Sequence, residues 1–193
     1  MILDSLRLQV LEEFLRNYNI SHTGSIIARK KSLNQKSVAN VLKEFEMQGV
    51  LKSTTQGKNK LYSLNLDDSQ MIVSFISMLE YMRALDFYKR QSLIKEISKK
   101  IIPYCEGSVA IFGSYAKGTQ KKGSDLDVFI VGRYDREEIE KISAIYKIDI
   151  NVKNYPLELF KKSLLKKDNF LEEIKKDHIL VKDVQQFVSY MIQ

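Results

Sequence analysis

Apolar positions recur at helical spacing three times in the first 66 residues, and then alternate. Leu6, Val10 and Phe14 fall at i, i+4 and i+8 with Leu11 and Leu15 beside them, predicting a helix over about residues 4–17. Asp4 is its expected N-cap. After a polar turn at 18–24, a short helix is expected over 25–30. Val38, Leu42 and Phe45 then make the inner stripe of a third helix over 34–48, capped by Ser32 or Asn34 and ended by Gly49. Residues 50–53 and 61–64 read as two short strands around a polar, turn-forming stretch, Thr54 to Lys60.

Residues 67–101 carry one long helical pattern. Phe75, Met78, Met82 and Leu85 open its stripe, and Leu93, Ile97 and Ile101 continue it. Asp67, Asp68 and Ser69 offer caps at its start, a break is expected near Asp86, and Pro103 ends it. From Tyr104 the texture changes to strands at 108–112, 127–131 and 147–152. Helices are expected over 136–145, 157–165 and 170–177, and a last one over 179–193. The expected class is α+β, divided as 1–66, a helical connector at 67–103, and 104–193.

Composition adds a direction. The net charge of +7 is unevenly spread: ten Lys/Arg stand against five Asp/Glu in 1–66, and fifteen against fourteen in 104–193. A basic N-terminal third favours a polyanionic partner there. No apolar run reaches the ~18 residues of a membrane span, and the N-terminus lacks the pattern of a secretory signal. The expectation is a cytoplasmic protein without a membrane partner. Cys105 is the only cysteine, and neither His22 nor His178 stands in zinc-ligand spacing.

The chemistry concentrates in residues 112–127. A strand runs into Gly113, whose missing Cβ lets a phosphate approach the backbone. Ser114 adds a hydroxyl and begins a helical turn whose N–H groups favour an anion. Lys117 stands one turn on. Asp125 and Asp127, two apart at the start of a strand, point to one face and repel unless a cation lies between them. Mg²⁺ takes such oxygen ligands together with substrate phosphates. Asp149, flanked by Ile148 and Ile150, repeats the theme on a neighbouring strand.

Gly113-Ser114, ten residues, then Asp125-x-Asp127 resembles the signature of the DNA polymerase β-like nucleotidyltransferases. Within that superfamily the run with Ala116, Gly118 and Ser124 is most similar to the minimal nucleotidyltransferases. Tyr115 stands where many members carry arginine. The resemblance spans about residues 100–180 and implies a mixed sheet flanked by helices. It further implies two Mg²⁺ ions held by Asp125 and Asp127, and Asp149 as the third carboxylate on the acceptor side. A nucleoside triphosphate, ATP by expectation, would be held by Gly113, Ser114, Lys117 and Ser124.

The order helix, helix, helix, hairpin in 1–66 resembles a winged helix-turn-helix domain. By that resemblance 34–48 is a recognition helix presenting Gln35, Lys36, Asn40 and Lys43 to DNA, with Lys58 and Lys60 in the wing. Winged helices also serve as protein-docking modules. Two functional classes stay open. One is an enzyme transferring a nucleotidyl group to a hydroxyl on a protein, RNA or small molecule. The other is a DNA-binding regulator whose nucleotidyltransferase fold is a silent sensor. A minimal nucleotidyltransferase antitoxin would have its toxin as a separate chain, and a homodimer is compatible with either class.

Overall fold

The computed structural model describes residues 4–67 and 69–192, except for the side chain of Ser69. Asp68, one of the expected caps, lies outside them. The chain forms two compact units, the first running through Ile72 and the second from Val73 through Met191.

The first unit opens with α1 (Ser5–Leu15), whose N-cap Asp4 accepts a hydrogen bond from the Arg7 N–H at 2.9 Å. α2 (Gly24–Lys31) starts at Thr23 and α3 (Gln35–Met47) at Asn34, both through side-chain caps. A residue in extended conformation between α1 and α2, His22, exchanges backbone hydrogen bonds with Tyr62 and so adds a bridge to the hairpin. The hairpin is longer than its hydrophobic pattern suggested: β1 (Leu51–Gln56) and β2 (Asn59–Leu64) pair antiparallel through Gln56 and Asn59. Two residues, Gly57 and Lys58, make the turn, and Gly57 at φ 59° supplies the positive φ its first position requires. Val10, Phe14, Ile27, Val38, Leu42, Phe45, Leu51 and Leu64 fill the core.

Buried acid in this unit is paired. Glu13 is almost fully enclosed and meets Lys30 at 3.2 Å, Lys31 at 3.7 Å and Arg16 at 3.8 Å. Burial alone would raise its pKa, but the Lys30 hydrogen bond and the three cations outweigh it and hold the carboxyl below its usual range.

The long helical pattern is two helices, α4 (Ser69–Arg90) and α5 (Ser92–Ile101). The break comes at Gln91 rather than near Asp86. Gln91 leaves the helical region at φ −125° and ψ 66°, while its N–H still bonds to Phe87 and its carbonyl accepts from Lys95. The interruption re-aims the chain so that Ile94, Ile97 and Ile101 reach the sheet core.

In the second unit a 3₁₀ turn (Ile102–Tyr104) leads into β3 (Cys105–Phe112), then α6 (Gly113–Lys117), β4 (Leu126–Tyr134), α7 (Arg136–Tyr146) and β5 (Ile150–Tyr155). The helices α8 (Leu157–Leu165) and α9 (Asn169–Lys176) precede β6 (Ile179–Lys182) and α10 (Val184–Met191). Residues 179–182 thus form a strand where a helix was expected. Ile179, Leu180 and Val181 suit a pleated, buried edge, and Asp183 at φ 47° turns the chain before α10 begins.

The sheet order is β5-β4-β3-β6, with β4–β5 parallel and the other pairs antiparallel. A mixed four-stranded sheet with helices on its faces fits the nucleotidyltransferase fold. One face packs Val109, Ile111, Val128 and Ile130 against α5 and α7. The other is aromatic, with Phe129 in edge contact with Tyr155, Phe170 and Phe187. Beneath it His178 and Arg83 approach the enclosed Glu80 carboxylate, at 3.5 and 3.6 Å.

Candidate active site

The register of the sheet decides what gathers at the start of β4. Phe112, the last residue of β3, lies across from Asp127, and the next residue is Gly113. Gly113 takes φ 67°, and a Cβ there would run into the Asp127 carboxylate. Only glycine lets the turn pass this close. Backbone from the β3–α6 turn and the second aspartate of the motif therefore share one small space, although fourteen positions separate them in sequence.

Asp125 and Asp127 flank buried Leu126 and point to the same side. Their surroundings differ. Asp125 is exposed, whereas Asp127 is half-buried. Burial raises the pKa of Asp127, a hydrogen bond from Asn151 counters that, and the charge of Asp125 raises it further. Neither aspartate forms an ion pair with Lys or Arg among the described residues. A half-buried carboxylate with a second carboxylate beside it offers the oxygen donors that a cation takes.

Asn151 went unnoticed in the sequence. It is the parallel-strand partner of Asp127, and its amide donates to Asp125 Oδ2 at 3.1 Å. One side chain of β5 thus reaches both acids. A hint lay in its spacing, two residues after Asp149 on an alternating strand.

The structure brings some of the expected residues together and leaves others apart. Asp149 is exposed, just before β5, and its carbonyl accepts from the Leu126 N–H at 2.8 Å. Among the described residues no three His, Cys, Asp or Glu side chains lie close enough to hold one ion. Ser114 is the second residue of α6, and its carbonyl accepts from Gly118 and Thr119, leaving the hydroxyl out of those caps. Lys117 is exposed in the same turn. Ser124 closes the following loop: its hydroxyl accepts from the Lys121 N–H at 2.8 Å, and its own N–H bonds to the Lys121 carbonyl.

In the first unit Gln35, Lys36, Asn40 and Lys43 are all exposed on α3, and Lys58 is exposed at the hairpin tip. Lys60 differs. Its ammonium bonds to Glu46 at 2.7 Å and lies over the Tyr62 ring, 5.1 Å from the centroid. The Glu46 hydrogen bond raises its pKa. No helix among the described residues is long and apolar enough to cross a membrane.

No curated protein and no solved structure matches the chain. A family model described as "Nucleotidyltransferase domain" matches residues 91–187, half of the chain, and takes in α5, the whole β3–β6 sheet, Gly113, Ser114 and both aspartates. With the motif, the mixed sheet and the paired carboxylates in agreement, the chain belongs to the nucleotidyltransferase domain family.

Proposed function

We propose that the protein transfers a nucleotidyl group from a nucleoside triphosphate, with ATP the expected donor, to a hydroxyl on a protein, RNA or small molecule. The observation that carries this reading is the Asp125–Asp127 pair set directly against the Gly113 turn. Asp125 and Asp127 fit a divalent ion by their chemistry: two oxygen donors on one face, one of them with a raised pKa. Two Mg²⁺ ions held there would supply charge neutralisation for the phosphate oxygens and the leaving pyrophosphate.

The chain's own residues do the positioning. The Gly113–Ser114 turn and Ser114 hydroxyl receive the triphosphate, with Lys117 adding charge from the next turn. Ser124 shapes the loop that delivers Asp125. Asn151 fixes the Asp125 carboxylate so that its free oxygen stays turned outward. Asp149, exposed just before β5, would take the proton of the acceptor hydroxyl as its oxygen bonds to the α-phosphorus and pyrophosphate leaves. The domain division follows the same reading, with a DNA-binding winged helix-turn-helix at 1–66, a connector at 67–103 and a transferase domain at 104–193.

A second reading has one observation in its favour. Asp149 is not gathered with Asp125 and Asp127, as expected of a regulator whose nucleotidyltransferase fold only senses a nucleotide. One paired measurement separates the two. The protein is incubated with each labelled nucleoside triphosphate, Mg²⁺ and cell lysate, and triphosphate affinity is measured by calorimetry. The transferase reading expects a labelled protein or RNA species that is lost in Asp149→Ala while nucleotide affinity is kept. Nucleotide binding with no labelled product under any donor supports the sensor and sinks the enzyme.

A further inference from the structure

The aromatic face of the sheet carries a cation that no acid answers among the described residues. Asn151, Lys153 and Tyr155 alternate along β5 toward that face, Asn151 in register with Asp127 and Lys153 with Phe129. Lys153 is exposed on the edge strand, two residues, or about 7 Å, along β5 from Asn151. Its ammonium lies 5.7 Å from the Phe170 ring centroid and 6.0 Å from that of Tyr155. Phe112, beside Asp127 in the register, meets the Phe170 ring at 5.4 Å, and Phe170 meets Tyr155 at 5.7 Å. Half-buried rings thus run unbroken from the aspartates to Lys153.

More positive charge follows. From Lys153 through Asp168 five lysines stand against two acids, in a segment, 104–193, that is nearly neutral as a whole. Both acids are engaged: Glu158 meets Lys161 at 3.7 Å, and Asp168 caps two N–H groups of α9 at 3.0 and 3.2 Å. The next acids, Glu172 and Glu173, are taken up by Lys175 and Lys176. Lys166 and Lys167 are exposed and form no ion pair among the described residues. Contact of the Tyr155 hydroxyl with Asp168, at 3.5 Å, brings their α8–α9 turn to the end of β5.

Taking the proposed transfer as given, we infer that this edge receives its acceptor, the 3′ end of a single-stranded RNA. Lys153 holds the last phosphate, and Lys166 and Lys167 hold those before it. The sheet order gives the direction: Gly113 follows β3 on one side of β4, and β5 lies on the other. A triphosphate received at Gly113 leaves the β5 side to the acceptor. The step from Asn151 to Lys153 is one that a terminal ribose and its own phosphate can span. Cations on two elements with rings between them fit a strand with several phosphates and stacking bases, rather than a small molecule with one phosphate. In the reaction the 3′ oxygen bonds to the α-phosphorus, the bond from that phosphorus to pyrophosphate breaks, and the hydroxyl proton goes to Asp149.

The test uses the full chain and a labelled, unstructured oligoribonucleotide. Anisotropy should show binding that weakens with salt. Lys153→Ala should reduce the slope of log affinity against log salt by about 0.7, one phosphate on a single strand, and Lys166→Ala with Lys167→Ala by about 1.4. Lys153→Arg should bind as the wild type does. Calorimetry with ATP and Mg²⁺, and anisotropy of a duplex DNA, should not change in these variants, which separates the edge from the donor site and from the first unit. With ATP and Mg²⁺ the wild type should lengthen the RNA, and a strand ending in a 3′-deoxynucleotide should stay unchanged. RNA affinity that ignores Lys153 overturns the inference. So does lost ATP affinity in Lys153→Ala with RNA binding unmoved, which assigns Lys153 to the donor, and so does transfer to a protein in place of RNA. RNA binding that depends on Lys153 without lengthening upholds the RNA edge and sinks the transferase reading alone.

Discussion

The first unit and the Asp125–Asp127 site of the second treat a carboxylate in opposite ways. In the first, acids are answered by cations: Glu13 by Lys30, Lys31 and Arg16, Glu44 by Arg7 at 2.5 Å, and Glu46 by Lys60. The carboxyls of Glu13 and Glu46 are accordingly held below their usual range, Glu46 chiefly by the Lys60 hydrogen bond. In the second unit Asp127 is half-buried beside another aspartate, its pKa raised, with a neutral amide as its nearest help. An acid in an ion pair holds a fold together. An acid held beside an acid carries a cost, and that contrast marks the site more clearly than either aspartate alone.

The largest effect should come from separating those roles by mutation. On the proposed reading Asp127→Asn lowers transfer by at least ~10²-fold, the scale of removing one transition-state stabilising group. It also leaves the melting temperature unchanged or raises it, because burial and repulsion are both relieved. Rate and thermal melt on the same preparation check this. Lost activity together with a large loss of stability would make Asp127 a structural residue and erase the contrast.

The converse change belongs to the first unit. Glu13→Ala should destabilise it by about 1–2 kcal/mol, below the ~3–5 kcal/mol of a fully enclosed pair because Lys30 stays half exposed. Denaturant unfolding measures it, and nucleotide affinity should not move. A variant as stable as wild type would mean that the three cations contribute nothing net.

Much of this was legible in the chain, for physical reasons that can be named. Helical stripes such as Val38, Leu42 and Phe45 are local, and the caps Asp4 and Asn34 are local too. The Gly-Ser and Asp-x-Asp spacing reports a strand–turn–strand unit whose chemistry constrains residue types. What the sequence hid depends on pairing between distant segments. His22 joins the hairpin only because Tyr62 is there to receive it. β6 is four residues long, too short for periodicity to separate it from a helix. Asn151 gains meaning only from the parallel register that sets it beside Asp127. The break at Gln91 answers to where the sheet core lies, which no helical pattern encodes.

The comparison can be sharpened by pH. Glu13 and Glu46 have lowered folded-state pKa values, so their stabilisation is present above the ordinary carboxylate range. It is lost as the pH falls through the folded-state values. His22, pushed down from its usual 6.5 by burial and then by the charge of Lys30, acts in the same sense at higher pH. Its contribution is present above 6.5 and lost as the pH falls through its lower folded value. Asp127 runs the other way: with a raised value, its contribution is present below the ordinary range and lost as the pH rises through the folded value. Hydrogen exchange as a function of pH should therefore show the first unit opening on acidification before the β3–β4 hairpin does. Simultaneous opening would mean these groups do not set the acid response.

The smallest effect lies within one hairpin. If the first unit holds DNA, Lys58 and Lys60 stand two residues apart at its tip yet should contribute unequally. Lys58 is exposed and makes no ion pair among the described residues, so it can neutralise a phosphate at no internal cost. Lys60 must first give up Glu46 at 2.7 Å, and the freed carboxylate then faces the phosphate. Lys58→Ala should reduce the slope of log affinity against log salt by about 0.9, one phosphate's worth. Lys60→Ala should change it by a fraction of that. Glu46→Gln should tighten binding, and in that background Lys60→Ala should approach the full effect, since the competing acid is gone. Anisotropy of a labelled duplex over a salt series reads the wild type and all four variants. Equal slopes for the two lysine variants would remove the argument from Glu46. Salt-independent or absent binding would remove DNA altogether and leave this face to a protein partner.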